Sequence, residues 1–151
     1  MKRPRIKFWS QRSDVDCAPV AILNALRWLG YDVSFRKHYK QLCIECGQDK
    51  TGTKHSAIGK LLKTVDGLKV TRPRKMTISR FENFLNGRKT AIVFSFRVGR
   101  GIGHCCLVVK MHGQLSFVNM CHDELSIADA DLNKLFKHSI GFPSFWFLEK
   151  V

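Results

Sequence analysis

The chain has 151 residues, 44% of them apolar and 25% charged, an ordinary balance for one globular domain (1–151) able to bury a real core. No apolar run is long enough to span a bilayer, and the basic start Met1–Trp9 lacks the apolar stretch of a secretory signal. The expectation is a cytoplasmic protein without a membrane partner. It carries a formal charge of +14, unevenly spread: 23 Lys/Arg stand against 7 Asp/Glu in residues 1–110, and 3 against 5 in residues 111–151.

The first half reads as helical. Ala21, Ile22, Ala25, Leu26 and Leu29 share one face at helical spacing. Pro19 suits the first turn of that helix and Gly30 ends it. A second helix follows Ser34 and runs through Leu42 toward Cys46. A third covers about His55 to Val65, closing near Gly67. Thr77 caps a fourth, with Ile78, Phe81, Phe84 and Leu85 inward and Gly87 behind it.

The second half turns to strands. Thr90–Phe96 has the pattern of a buried strand, and the basic glycine-rich stretch Arg97–Gly103 reads as a loop. His104–Met111 and Gln114–Asn119 flank His112-Gly113, a two-residue hairpin turn. A short helix near Asp129–Lys137 precedes a last core strand, Ser144–Leu148. Helices followed by an antiparallel sheet predict an α+β domain.

Chemistry enters at Cys17, where Asp14-Val15-Asp16-Cys17-Ala18-Pro19 opens the first helix. Unpaired N–H groups and a partial positive charge at a helix start favour the thiolate, which is the attacking species. Gln11, six residues upstream, is placed to lend a side-chain N–H to a negative carbonyl oxygen. A thiol nucleophile also needs a base with an orienting partner. If His112-Gly113 is a two-residue turn, Cys106 faces Asn119 and His104 faces Cys121. His104 and Asn119 then become diagonal neighbours on one surface, close enough for imidazole and amide to meet. The result is a Cys17-His104-Asn119 arrangement.

These residues resemble the papain-like cysteine peptidases, and specifically the bacteriocin-processing (double-glycine leader) peptidase group and its stand-alone relatives. The matching segments are Gln11 with Asp16-Cys17-Ala18-Pro19, Thr51-Gly52-Thr53 before a helix, Gly103-His104 opening an apolar strand, and Asn119 fifteen residues later. The resemblance implies an N-terminal helical half whose nucleophile helix packs on a C-terminal antiparallel sheet. It makes Cys17 the nucleophile, His104 the base and acid, Asn119 the orienter and Gln11 the oxyanion donor. Three features depart from the pattern. Ala18 stands where Gly is usual, Asn119-Met120 stands where Asp-Pro is usual, and no transporter accompanies the domain, so export of leader-bearing peptides is not implied.

The expected activity is hydrolysis of a peptide or amide bond through an acyl-enzyme, without a cofactor. The same intermediate also suits an acyltransferase or a deamidase. Arg97, Arg100 and Gly103 adjoin His104 and are candidate substrate contacts, and the basic rim suits a peptide or protein that is itself acidic. An inactive basic module is a further alternative, gripping nucleic acid or an acidic protein through residues such as Lys2, Arg3, Arg5, Lys7, Arg72, Arg74 and Lys75. The six cysteines read as reduced thiols. Two sets have metal-ligand character: the zinc-type spacing Cys43-Ile44-Glu45-Cys46, and His104, Cys106 and Cys121 on one hairpin face with His122 adjacent. The first has no second pair at a standard distance and sits in a helical pattern, so it reads as a packed pair. The second could form a site, but the triad is the preferred reading and no metal is expected.

Overall fold

A computed structural model describes residues 8–13, 16–46, 55–73, 77–98, 102–118 and 144–151. Asn119, the expected helix at 129–137, Thr51-Gly52-Thr53 and Arg100 lie outside these described residues.

Helix α1 (Cys17–Trp28) is buried almost all round, from Ala18 through Leu26. Ala18, Ala21 and Ala25 give it a slim profile, so its backbone approaches the sheet closely. Its C-terminus closes as a Schellman motif. Gly30, at φ +94°, donates its N–H to Arg27 O, and Tyr31 N–H reaches Leu26 O. Helix α2 (Phe35–Glu45) starts at Ser34, whose hydroxyl accepts the Lys37 N–H at 3.3 Å. Helix α3 (His55–Lys63) buries Ile58, Leu61 and Leu62. Helix α4 (Ile78–Leu85) starts at Thr77, whose hydroxyl accepts the Arg80 N–H at 3.1 Å.

The strands are β1 (Leu68–Thr71), β2 (Thr90–Val98), β3 (Ile102–Met111), β4 (Gln114–Val118) and β5 (Ser144–Lys150). They form one antiparallel sheet in the order β1-β5-β2-β3-β4. The β3–β4 hairpin pairs Met111 with Gln114 and Leu107 with Val118. His112 at φ +51° and Gly113 at φ +78° make its turn, the primed type that fits the twist of paired strands. The register on which the His104–Asn119 diagonal depends therefore holds as far as Val118.

Two features differ from expectation. β1 adds an edge strand in a half that reads as helical, paired with β5 from Leu68↔Lys150 to Thr71↔Phe147. The expected loop Arg97–Gly103 is mostly strand, because Arg97 pairs with Gly103 and Val98 with Ile102. Ladder hydrogen bonds override the local glycine content there.

Side chains alternate across each strand, and the two faces bury different groups. Ala91, Val93, Cys105, Leu107, Val109, Val118, Trp146 and Leu148 pack with α1 and its neighbours. Ile92, Phe94, Cys106, Val108, Phe117, Phe145 and Phe147 pack with Phe81 and Leu85 of α4. Helix α1 lies across β2 and β3, the strands that lead toward His104. The architecture is α+β, with the Cys17 helix packed on an antiparallel sheet.

Candidate active site

Cys17 is the first residue of α1 and is half-buried. Three backbone amides lie near enough to its sulfur to favour the thiolate: those of Cys105, Ala18 and Cys17 itself. The Cys105 amide belongs to the peptide unit joining His104 to Cys105. The helix that begins at Cys17 and the strand that carries His104 therefore meet at this point. Two segments separated by most of the chain converge because α1 packs on β3. His104 itself pairs through its backbone with Phe96, and its side chain lies outside the described residues. The same is true of the Arg97 side chain, while Gly103 sits opposite Arg97 in the ladder.

The electrostatics of the thiol differ from the simple helix-start expectation. Burial pushes the Cys17 thiol above its ordinary value of 9.0, and the neighbouring Asp16 charge pushes the same way. The three amides pull it down without reversing the direction. At neutral pH the resting sulfur keeps its proton in this environment unless a base takes it. The helix start stabilises the thiolate once it forms, but desolvation wins in the resting site.

The segment preceding Cys17 is held by a residue whose role the sequence disguises. Asp16 reads as a capping or turn residue, yet its side chain makes no cap bond to α1. Its buried carboxylate instead accepts the Arg12 N–H at 2.8 Å, the Ser13 N–H at 3.1 Å and the Tyr39 hydroxyl at 2.6 Å. Tyr39 stands on α2, so one carboxylate ties the loop, α1 and α2 together. Burial and the Asp16 carboxylate keep the Tyr39 phenol protonated well above its usual range, as this donor role requires. No local pattern links Tyr39 to Asp16, 23 residues away.

Gln11 lies on the same tethered loop. Its Nε2 donates to the Ser13 carbonyl at 2.7 Å, which fixes the amide and uses one of its two N–H bonds. Its Oε1 is buried and has no hydrogen-bond partner among the described residues.

The other thiols occupy different settings. Cys105 and Cys106 are fully buried on opposite faces of β3, and burial raises both thiols. Cys43 is half-buried near the end of α2, and Cys46 is buried at its C-cap. Among the described residues, no group of three or more His, Cys, Asp or Glu comes together to hold a metal. Cys121 and His122 lie outside them. No helix among the described residues is long and apolar enough to cross a membrane.

No protein-family model matches the chain, and no curated protein matches it. Solved structures do. The peptidase domain of Streptococcus ComA, a bifunctional ABC transporter of a quorum-sensing pathway, superposes with a TM-score of 0.65 at 14% identity, covering 93% of this chain and 96% of that one. A double-glycine-motif protease from an AMS/PCAT transporter, in complex with its leader peptide, gives 0.63 at 14% identity, covering 97% and 93%. The Streptococcus mutans ComA peptidase domain bound to a small-molecule inhibitor gives 0.56 at 15% identity, covering 94% and 98%. The fold is that of these peptidase domains, over nearly the whole length of each. At such identity the likeness is one of fold, and function rests on the site.

Proposed function

We propose that this protein is a thiol hydrolase that cleaves a peptide or amide bond with Cys17 as nucleophile. The observation that carries the reading is the packing of Cys17, at the start of α1, against the cluster on β3 that holds Cys105, on a fold shared with solved peptidase domains. His104 takes the thiol proton as the sulfur attacks the carbonyl carbon. A base is required, because burial keeps the resting thiol protonated. Asn119 holds the imidazole in its working orientation. The carbonyl oxygen gathers negative charge and is stabilised by the Cys17 N–H and by the second Nε2 hydrogen of Gln11.

His104 then gives its proton to the leaving amine, and the C–N bond breaks to leave an acyl group on sulfur. Water, deprotonated by His104, attacks the thioester; the carbon–sulfur bond breaks and Cys17 recovers its proton. Arg97, Arg100 and Gly103 contact the substrate beside His104. A polypeptide substrate is supported by the leader peptide bound to the double-glycine-motif protease of the same fold.

Incubation with a peptide carrying a double glycine before a labelled amine tests this reading. Release of the amine, with a transient mass increase on the Cys17 peptide, is the expected result, and Cys17→Ala abolishes both. An acyl group appearing on an added amine instead of on water would identify a transferase. A glutamine side chain converted to glutamate would identify a deamidase. Absence of any adduct on Cys17 across peptide substrates would overturn the catalytic reading.

A further inference from the structure

An open groove of about 680 Å³ runs between the segment before α1 and the exposed side of α2. Its working surface is made by Trp9, Arg12, Phe35, Arg36, Tyr39 and Lys40. Cys17 does not line it. We propose that this groove docks an acidic stretch of the polypeptide on which Cys17 acts, which rests on the hydrolase reading above.

Charge complementarity points to the occupant. Arg12, Arg36 and Lys40 are exposed cations, and among the described residues none that lines the groove is acidic. Asp16, which bonds two of these lining residues, is buried and already accepts from Tyr39, Arg12 and Ser13. The aromatic rings hold a cation in place. The Arg12 guanidinium lies 4.3 Å from the centre of the Phe35 ring and 5.6 Å from that of Tyr39. A guanidinium held against aromatic rings loses less freedom when a carboxylate arrives than a free one does. Its planar fork also suits a carboxylate with two parallel hydrogen bonds.

The same rings argue for a peptide over a single-stranded nucleic acid. A base needs an open aromatic face on which to stack. Phe35 and Tyr39 stack on each other with centres 4.4 Å apart, and the Arg27 guanidinium sits 4.5 Å from the centre of the Trp9 ring. Phe35, Tyr39 and Trp9 thus each have a partner against one ring face, and the groove adds three exposed cations.

The groove also shares its frame with the nucleophile. The Arg12 N–H and the Tyr39 hydroxyl both bond to the same oxygen of Asp16, the residue before Cys17, and Arg12 directly follows Gln11. A chain lying in the groove therefore runs along the loop that carries the oxyanion donor. This makes the occupant an extension of the substrate rather than an unrelated partner.

Binding to the full-length Cys17→Ala protein separates docking from chemistry. A fluorescein-labelled Glu/Leu peptide and its Gln/Leu counterpart serve as probes in anisotropy at low and moderate salt, with a single-stranded oligodeoxynucleotide of matched charge as competitor. The acidic peptide should bind about tenfold more tightly than the neutral one, and the gap should narrow with salt. The pair Arg36→Glu and Lys40→Glu should weaken acidic-peptide binding by about tenfold or more, while Lys60→Glu with Lys63→Glu, the same charge change on α3, leaves it within about twofold. Equal losses in the two double variants, no preference for the acidic probe, or stronger competition by the oligonucleotide would each overturn the proposal. Cleavage is read in parallel with Cys17 intact: a groove variant that loses docking but still cleaves sinks the groove alone, whereas an intact protein that docks the peptides but cleaves none sinks the hydrolase reading on which the substrate assignment rests.

Discussion

The two faces of the sheet serve different ends, and neighbouring cysteines of one strand mark the division. Cys105 faces α1 among Ala, Val and Leu side chains, while Cys106 faces α4 among Phe81, Phe94, Phe117 and Phe145. The α4 face is packed by aromatic pairs, with Phe94 and Phe145 stacked at 4.8 Å and Phe81 edge-on to Phe145 at 6.0 Å. The α1 face mixes small aliphatic groups with one large ring, Trp146, and the start of α1 packs there against the cluster that holds Cys105. One face is an aromatic stack, and the other brings the Cys17 thiol beside β3.

The largest expected effect falls on the aromatic face. Phe81→Ala removes a fully buried ring that touches Phe117 and Phe145, and should cost about 3–5 kcal/mol. Denaturant titration would report that loss, while the rate of Cys17 alkylation in the still-folded protein should stay at the wild-type value. A matched pair sharpens the comparison. Cys105→Leu and Cys106→Leu each overpack a filled core, at about 1–3 kcal/mol. Only the first pushes against α1 beside the sulfur, so only it should slow acylation of Cys17. Equal slowing by both would mean that the faces are not separable in this way.

A smaller effect concerns pH. Burial raises the thiols of Cys17, Cys105 and Cys106 above 9.0 in the folded protein. Above about pH 9 the unfolded chain releases these protons while the folded one retains them, so stability falls as pH rises. The slope contributed by each such thiol approaches about 1.4 kcal/mol per pH unit. Urea midpoints between pH 8 and 10.5 should show a shallower decline in Cys106→Ala than in wild type. An identical slope would show that Cys106 is not desolvated by the aromatic face.

Much of this arrangement is legible in the residues. Ser34 and Thr77 announce α2 and α4 because their hydroxyls satisfy helix-start amides, and His112-Gly113 announces the hairpin because both residues adopt positive φ. Strand β1 is harder to read, since Leu68-Lys69-Val70-Thr71 is short and owes its extension to pairing with β5. The Arg97–Gly103 stretch misleads for the converse reason: local glycine content suggests a loop, but the cross-strand ladder continues through Val98 and Ile102.

At the site, helical periodicity and hairpin alternation suffice to bring Cys17 and the start of β3 into one argument. The direction in which the thiol shifts is not legible, because it depends on how much of α1 the rest of the fold covers. Nor is the Asp16–Tyr39 bond, which depends on how α1 and α2 sit together and not on any spacing within either.

The central claim is that the Cys17 sulfur depends on His104 for its reactivity. Iodoacetamide alkylation of Cys17, followed by mass analysis from pH 6 to 10 in wild type and His104→Ala, measures that dependence directly. The account predicts fast labelling of wild type near neutrality. The variant should be at least about tenfold slower at pH 7, gaining about tenfold per pH unit as its unaided thiol approaches ionisation. Superimposable profiles for the two proteins would contradict it.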